Sequence, residues 1–376
     1  MEQYEYLKEI ADKYYSVFYK QGFATAGNNG PHGHKDTPVR NTSHFLVIYS
    51  YLYKITKEKK YIEICEKFAR YICDEAKKSK NGSIQCMDTD KFNHLNGLIG
   101  QGWAIEALLY YFDISQNMEC FEIAKKIFYS QKYDFNKHLF NMVELNGKDI
   151  GVDITYNHNI WFIACASKIL DYEKDETLKK IIIDMLENGT KRDFKIYNSG
   201  LLHHYVSYKI PAKVKIKKII KILLSPIKKI NPRKFDYKYM EEAYHVFDMY
   251  GFCILEQKFS DLEFFNSHKY LKAKKYALNI NNLNKKYNVE NAIKNCNENF
   301  NIYSYAYNTL TFEYPFVSLM FKEEDMNVYS KLYKIQEKLM YDENSGEFSK
   351  FNPDINTFNA RTYEIIRYLE MKMEEK

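Results

Sequence analysis

Segments with 3.6-residue apolar periodicity alternate between two kinds along this chain of 376 residues. The first kind carries charges along one face and covers residues 2–19, 58–77, 118–130, 174–189, 258–276 and 326–340. The second kind is apolar on nearly all sides and covers residues 41–56, 97–113, 156–170, 240–257, 305–322 and 358–372. An amphipathic helix can keep one face in water, whereas a helix that is apolar all round must be enclosed.

Twelve helices in strict alternation form six helical hairpins. The closed arrangement that buries six apolar helices inside six amphipathic ones is an all-α fold, the (α/α)6 toroid or six-hairpin barrel. A stacked solenoid would also bury the apolar helices, but it predicts a repeated consensus that these hairpins lack. We therefore predict one toroid domain over residues 1–376, with a funnel lined by the N-terminal ends of the inner helices.

The basic residues are concentrated in one segment. Residues 209–234 contain ten Lys or Arg and no Asp or Glu, whereas the net charge of the whole chain is +6. Interleaved Ile, Leu and Val make residues 209–237 a basic amphipathic insertion, a pattern typical of contact with an anionic membrane surface. A solvated, partly disordered insertion is the alternative. No nucleic-acid-binding motif accompanies the charge, so we expect no nucleic-acid partner.

Other sequence features bear on the cellular location of the protein and on the cofactors that it could bind. The segment from Met1 to Ile10 is amphipathic and charged, so it predicts neither a signal nor a transit peptide, and we expect a cytoplasmic protein or one at the inner membrane face. Seven cysteines without CxxC spacing argue against a disulfide framework or a zinc site. His32 and His34 lack a defined third ligand, so we expect no metal and no cofactor.

Polar side chains cluster where the inner helices begin. Helix N-termini present free N–H groups and a positive dipole end, so six of them around one funnel favour an anionic ligand such as a uronate. In the first half of the chain the candidates are Asp36, Arg40, His44, Asn96, Gln101, Trp103, Asp153, Tyr156, Asn157, His158 and Trp161. In the second half they are His203, His204, Tyr244, His245, Asp248, Asn308, Glu313 and Arg361.

These residue types fit two reaction classes. Glycoside hydrolysis needs two carboxylates beside the scissile bond, and Asp36, Asp153, Asp248 and Glu313 are candidates for that pair. Epimerisation or β-elimination next to a carboxylate needs a base, an acid and groups that stabilise an enolate. Seven of the ten histidines lie at these helix starts or in the first long loop, which favours proton transfer. Nucleophile-elbow, zinc-protease and phosphate-loop motifs are absent from the sequence.

Several motifs resemble those of the AglQ-type family, which is encoded in archaeal N-glycan and bacterial surface-polysaccharide assembly clusters. They are Asn29 to Pro31, Asp36 to His44, Asn96 to Glu106, Asp153 to Trp161, Gly200 to His204, Tyr244 to Gly251, Asn308, Phe312 to Pro315 and Ala360 to Glu364. The resemblance implies an (α/α)6 toroid related to glucuronyl and N-acylglucosamine epimerases and unsaturated glucuronyl hydrolases. It assigns no catalytic residue, and Phe45 stands where a tryptophan is expected.

The leading hypothesis is an enzyme that epimerises or isomerises a hexuronate-like sugar during surface-polysaccharide or N-glycan biosynthesis. We expect His158 and His245 to act as acid and base, Arg40 to hold a carboxylate, and Trp103 or Trp161 to stack on the ring. Asp36, Asp153 and Glu313 are further catalytic candidates. We expect the following residues to bind substrate: Arg40, His44, Asn96, Gln101, Trp103, Tyr156, Asn157, Trp161, His203, His204, Tyr244, Asn308 and Arg361. A glycoside hydrolase or lyase of the same fold, and a non-catalytic glycan-binding scaffold at a membrane, are the alternatives.

Overall fold

Helices alternate between an inner and an outer layer throughout the part of the chain that the structure describes. The computed structural model describes residues 2–29, 33–89, 93–207, 237–279, 308–352 and 354–375. The predicted basic insertion lies outside these residues, except for its last position. Among the helices of the described ranges, none combines the length and the apolar character needed to cross a bilayer.

The helix positions agree with the periodicity of the sequence. The helices are α1 (Glu2–Gln21), α2 (Val39–Thr56), α3 (Lys59–Lys78), α4 (Gly97–Ser115), α5 (Met118–Tyr129), α6 (Tyr156–Ala166), α7 (Glu176–Asp184), α8 (Thr190–Asp193), α9 (Tyr237–Phe259), α10 (Glu263–Asn266), α11 (His268–Leu278), α12 (Leu310–Met320), α13 (Met326–Met340), α14 (Ile355–Arg361) and α15 (Ile366–Glu374). Short 3-10 or π turns extend α6 over Ser167–Asp171, join α7 to α8 over Met185–Gly189 and join α14 to α15 over Thr362–Ile365.

The inner helices α2, α4, α6, α9, α12 and α14–α15 form a closed ring. Each contacts the next, and the turn at Thr362–Ile365 and α14 pack back against α2. Tyr6 of α1 strengthens this closure, because its hydroxyl donates a 2.9 Å hydrogen bond to Oδ1 of Asn359 in α14. The predicted (α/α)6 toroid is therefore confirmed.

Burial distinguishes the two layers as the sequence predicted. Every residue of α4 from Gly97 to Phe112 is buried, so this helix has no face in contact with water. In the outer helix α3 the buried residues form one stripe, from Tyr61 to Ala76, and lysines occupy the opposite face. Apolar residues of both layers belong to one hydrophobic core cluster, whose burial stabilises the fold.

A three-stranded antiparallel sheet between α5 and α6 was not predicted. Its strands are β1 (Lys132–Asp134), β2 (Leu139–Val143) and β3 (Asp149–Val152), in the order β1-β2-β3. The Asn146-Gly147 pair between β2 and β3 is a hairpin signal, with Gly147 at φ +86°. The sheet ends directly before Asp153 and therefore leads the chain into the start of α6.

Trp161 is a core residue, so its predicted role in sugar stacking is corrected. Its ring is fully buried and stacks on Phe247 and Tyr250, with ring centroids 4.6 and 5.3 Å away. Its indole Nε1 donates a 3.1 Å hydrogen bond to the carbonyl of Phe247. The tryptophan thus ties α6 to α9 inside the ring.

We predict that Trp161→Ala lowers the free energy of unfolding by about 3–5 kcal/mol, because it leaves a cavity between α6 and α9. Urea unfolding followed by circular dichroism would measure the change. Met118→Ala is the control, since Met118 is 56 % exposed and its truncation should change stability by less than about 0.5 kcal/mol. Equal effects of the two substitutions would contradict the core assignment.

Candidate active site

A cavity of about 420 Å³ opens at the N-terminal ends of the inner helices. This volume lies in the range of small-molecule sites. Nine of the predicted residues line it: Arg40, Asn96, Trp103, Asp153, Asn157, His158, His204, Tyr244 and Arg361. Sequence reasoning did not select the other lining residues, which include Asn29, His34, Met87, Asn93, Ile99, Met142, Val152, Ile154, Thr155, Tyr205, Met240 and Phe247.

His158 and Asp153 form a hydrogen-bonded pair at the cavity wall. Nδ1 of His158 lies 2.9 Å from Oδ2 of Asp153, and the imidazole is partly exposed while the carboxylate is buried. Because a carboxylate accepts a hydrogen bond, we assign the ring proton of the neutral imidazole to Nδ1. Nε2 then offers its lone pair to a ligand, as a general base requires.

Backbone N–H groups anchor Asp153 in its charged form. Oδ2 accepts a hydrogen bond from the Leu98 N–H at 2.9 Å, and Oδ1 accepts one from the Thr155 N–H at 3.0 Å. Burial raises the pKa of Asp153, but the His158 ring and these hydrogen bonds outweigh burial and lower the pKa below its usual value. The start of α4 therefore stabilises the carboxylate that orients His158.

Gly97 is the position where α4 approaches this pair most closely. Its φ is +64°, and a Cβ atom there would lie 2.2 Å from Nδ1 of His158 and 2.6 Å from Oδ2 of Asp153. The preceding Asn96 also has a left-handed backbone, with φ +57°. Glycine is needed at 97 for both its backbone conformation and the space it leaves.

Arg40 is a buried cation in the cavity wall. Its guanidinium lies over the Trp103 ring, 4.6 Å from the centroid, and donates to Asn29 Oδ1 at 2.8 Å. It also donates to Asp36 Oδ2 at 3.3 Å. Asp36 does not line the cavity, and burial raises its pKa to about 6. The predicted catalytic role of Asp36 is therefore corrected: Asp36 is the ion-pair partner of Arg40.

Arg361 is the second buried cation of the wall. Its Nη2 donates to Glu313 and Glu364 at 2.8 Å each, and its Nη1 donates to Asn308 Oδ1 at 2.8 Å. Burial and the neighbouring Glu364 raise the pKa of Glu313 well above its usual value. Glu313 and Asn308 do not line the cavity and are hydrogen-bonded to Arg361 instead. The predicted catalytic role of Glu313 and the predicted binding role of Asn308 are therefore corrected.

Asn157 links the cavity to a buried carboxyl group. Its Nδ2 donates a 2.9 Å hydrogen bond to Oδ1 of Asp248, and burial raises the pKa of Asp248 to about 8. Asn157 Oδ1 is buried without a hydrogen-bond partner in the described ranges. Asp248 is therefore a protonated group at neutral pH that supports Asn157, a residue of the cavity wall.

Three predicted residues lie away from the cavity. His245 accepts a hydrogen bond from the Leu202 N–H at Nδ1 and lies 3.1 Å from the carbonyl of Ala273 at Nε2, so both ring nitrogens are engaged. His203 stacks on Tyr197, and Gln101 bonds the backbone of Ile84. The polar atoms of His245 and Gln101 are used in contacts with backbone groups, and the His203 ring packs on Tyr197. We therefore correct all three assignments.

His44 and Tyr156 lie behind the wall. The His44 ring stacks on Tyr363 with centroids 4.4 Å apart, and burial together with Arg40 and Arg361 lowers the pKa of His44 well below its usual value. Burial raises the pKa of Tyr156 well above its usual value. Both groups are therefore neutral, and neither lines the cavity, which corrects their assignment as binding residues.

His204 is the second histidine of the cavity that the sequence selected. Its backbone N–H donates to Glu241 at 2.9 Å, and its ring packs against Tyr205 and Tyr244 with centroids 4.7 and 5.3 Å away. His204 is thus better placed than His245 to act with His158. Within the described ranges, no group of three or more His, Cys, Asp or Glu side chains has the arrangement of a metal site.

We predict that Gly97→Ala separates His158 from Asp153, because the added Cβ overlaps both side chains. NMR of protein labelled with ¹⁵N in its histidine rings would detect the loss of the Nδ1 hydrogen bond. Gly147→Ala is the matched control, since Gly147 also has a positive φ, +86°, but a Cβ atom added there would meet no heavy atom within 4 Å. An unchanged His158 signal in Gly97→Ala would contradict the close approach.

We predict that Asp248→Asn flattens the pH dependence of stability. Since the folded pKa is raised from 3.8 to about 8, the native state keeps a proton that the unfolded chain releases, and stability falls as pH rises through this window. Between about pH 5 and pH 8 the variant should lose roughly 2–4 kcal/mol less than wild type. Urea unfolding at both pH values is the test, and parallel profiles would refute the assignment.

Comparisons with known proteins give one full-length relative and several structural neighbours. No family model matches the chain. It is 25 % identical over 383 residues to archaeal glycosylation protein Q of Haloferax volcanii, and the match covers 96 % of each protein. This similarity agrees with the motifs identified in the sequence.

Solved structures with the same fold include sugar epimerases and an isomerase. Cellobiose 2-epimerase from Bacillus thermoamylovorans has a TM-score of 0.59 at 14 % identity, covering 96 % of this chain and 99 % of the epimerase. D-mannose isomerase has a TM-score of 0.56 at 13 % identity, covering 96 % and 97 %. The chain is an (α/α)6 toroid protein that resembles the AglQ-type family along nearly its whole length.

Proposed function

We propose that the chain is a sugar-modifying enzyme that epimerises or isomerises a hexuronate-like sugar by proton transfer. The observation that carries this proposal is the Asp153–His158 pair, whose Nδ1–Oδ2 distance is 2.9 Å. Asp153 fixes the imidazole orientation and stabilises the imidazolium that forms when Nε2 takes a proton from carbon. This arrangement supports general base catalysis by His158.

A second proton-transfer group is required to return a proton to the sugar. His204 is our candidate, because it lines the same cavity as His158 and is one of the residues that the sequence selected. A proton returned to the opposite face of the carbon gives an epimer, whereas a proton returned to a neighbouring atom gives an isomer. In this proposal His204 takes the role that the sequence suggested for His245.

The charges of the cavity support an anionic substrate. Two guanidinium groups, those of Arg40 and Arg361, belong to the wall, and Asp153 is the one carboxylate among its described residues. Trp103 adds an indole N–H that has no hydrogen-bond partner among the residues described. A sugar carboxylate near Arg40 and Trp103 would gain charge-assisted hydrogen bonds, and the same groups would stabilise an enolate during proton removal.

The relatives support a sugar-acting enzyme in glycan assembly. One is named as a glycosylation protein, and the structural neighbours are named as cellobiose 2-epimerases and a mannose isomerase. From these names we infer the substrate class and leave the individual sugar open. Cytoplasmic location and membrane contact through residues 209–234 stay predictions from the sequence.

Glycoside hydrolysis is the second candidate function, and the cavity supports it less well. It needs two carboxyl groups beside the bond, roughly 5–9 Å apart. Of the four carboxylates that the sequence suggested, Asp36, Asp248 and Glu313 do not line the cavity in the described ranges, and each is hydrogen-bonded to a wall residue. A hydrolase would have to use Asp153 with a partner that has not been identified.

Deuterium exchange tests the proposed function. Wild-type protein is incubated in deuterated water with glucuronate, methyl glucuronide and UDP-glucuronate, and the sugar C–H signals are followed by NMR. We expect deuterium at one carbon, and a rate reduced about 10²–10⁴-fold in His158→Ala because the general base is lost. Release of a reducing end without exchange would contradict epimerisation and favour hydrolysis.

His138→Ala is the matched control for this experiment. His138 forms the same type of pair, with Nδ1 2.8 Å from Oδ2 of Asp184, but it does not line the cavity. Its loss should leave exchange unchanged. Saturable sugar binding with no exchange and no bond cleavage would instead support the non-catalytic scaffold.

A further inference from the structure

A buried carboxylate of α9 contacts the segment that carries His204. Glu241 is 4 % exposed and does not line the cavity. Its Oε1 accepts a hydrogen bond from the backbone N–H of His204 at 2.9 Å, and its Oε2 accepts one from the hydroxyl of Tyr197 at 2.7 Å. Nδ1 of His203 lies 3.5 Å from the same Oε1. One side chain of α9 thus contacts three residues of this segment.

Residues 195–203 of the segment form a small hairpin. Ile196 pairs with Leu202 in an antiparallel bridge, and Gly200 supplies the left-handed turn conformation with φ +99°. Glu241 contacts a residue on each arm, so it joins both arms to α9. The hairpin is therefore a formed element with a defined position against that helix.

The other side of His204 is bonded to the start of α6, the helix that carries His158. The Tyr156 N–H donates to the carbonyl of His204 at 2.9 Å, and Tyr205 pairs with Thr155 in a bridge. The backbone of His204 therefore has one hydrogen bond to α9 and one to α6. Since His158 is two residues after Tyr156, these bonds relate the positions of the two histidines.

We propose that Glu241 is a positioning residue for the proton transfer, which holds the His204 ring where it can act with His158 on one sugar carbon. Removing Glu241 takes away the acceptor of the His204 N–H, and a buried N–H without an acceptor is unfavourable. The segment would then shift, and a shift of about 1 Å can lower a catalytic rate about 10²-fold. This inference rests on the proposed function and adds a residue that the sequence did not select.

The two histidines have separable effects on the sugar. In deuterated water His158 Nε2 takes the proton from carbon, exchanges it with solvent and returns deuterium to the same face, which labels the starting sugar. His204 delivers a proton to the opposite face or to a neighbouring atom, which gives the epimer or the isomer. Misplacement of His204 alone should therefore lower product formation and spare exchange.

The experiment measures the ratio of product formation to exchange by NMR, with the sugar that wild type exchanges among glucuronate, methyl glucuronide and UDP-glucuronate. Glu241→Leu keeps the side-chain size and removes both acceptor oxygens. We expect it to lower product formation about 10–100-fold and to change exchange less than about threefold. Glu241→Gln should restore most of the ratio, because its amide oxygen accepts the His204 N–H and its amide N–H donates to the Tyr197 hydroxyl oxygen.

Two further variants keep the test decisive. Tyr197→Phe removes one partner of Glu241, keeps the ring that stacks on His203, and should lower the ratio about 3–10-fold even if Glu241→Leu folds poorly. In a His204→Ala background, adding Glu241→Leu should lower the ratio less than about twofold further, because Glu241 acts through His204.

Glu256→Leu is the matched control, since Glu256 also belongs to α9 and accepts a tyrosine hydroxyl, that of Tyr270, at 2.7 Å, but does not line the cavity. Its ratio should equal that of wild type. A wild-type ratio in Glu241→Leu and Tyr197→Phe would overturn the positioning role and leave the proposed function intact. Equal losses of exchange and product formation would indicate a general structural role and would also overturn it. Wild type with neither exchange nor product would overturn the proposed function together with this inference.

Discussion

The need to enclose helices without a polar face determines the rest of this structure. Because α4 is buried on every side from Gly97 to Phe112, neighbouring helices must cover its whole circumference. A closed ring provides that cover for all six inner helices, since each uses its flanks against its neighbours and its back against the outer layer. The helix ends are then the positions left for polar side chains, and the cavity with its catalytic candidates lies at those ends.

Buried charges around the cavity are balanced locally. Arg40 has Asp36 as its partner, and Arg361 has Glu364, so neither guanidinium is buried without a counter-charge. Removing one partner from such a group leaves an uncompensated charge and costs far more than an exposed ion pair does. The neutral His44 ring, whose pKa is lowered by burial and by both arginines, completes this arrangement without adding a charge.

The sequence predicted the helix layers well and the orientation of individual polar side chains poorly. Periodicity placed an inner helix at 97–113, and the structure has it at Gly97–Ser115, because a buried helix leaves an unmistakable apolar pattern. The direction of each polar side chain depends on contacts between distant segments. His158 reaches the cavity while Trp161, three residues later, packs on Phe247, and the Arg361–Glu313 pair joins residues 48 positions apart. The sheet at 132–152 was missed because its short strands carry little periodic signal.

The contact between Tyr6 and Asn359 has a consequence for how the chain acquires its structure. The ring closes only when segments separated by 353 positions meet, so the fold has contacts of very long sequence separation, which slow folding. Until the last inner helix is in place, α2 lacks one neighbour and keeps apolar surface in water. During synthesis on the ribosome such an open ring is a target for chaperones or a source of aggregation.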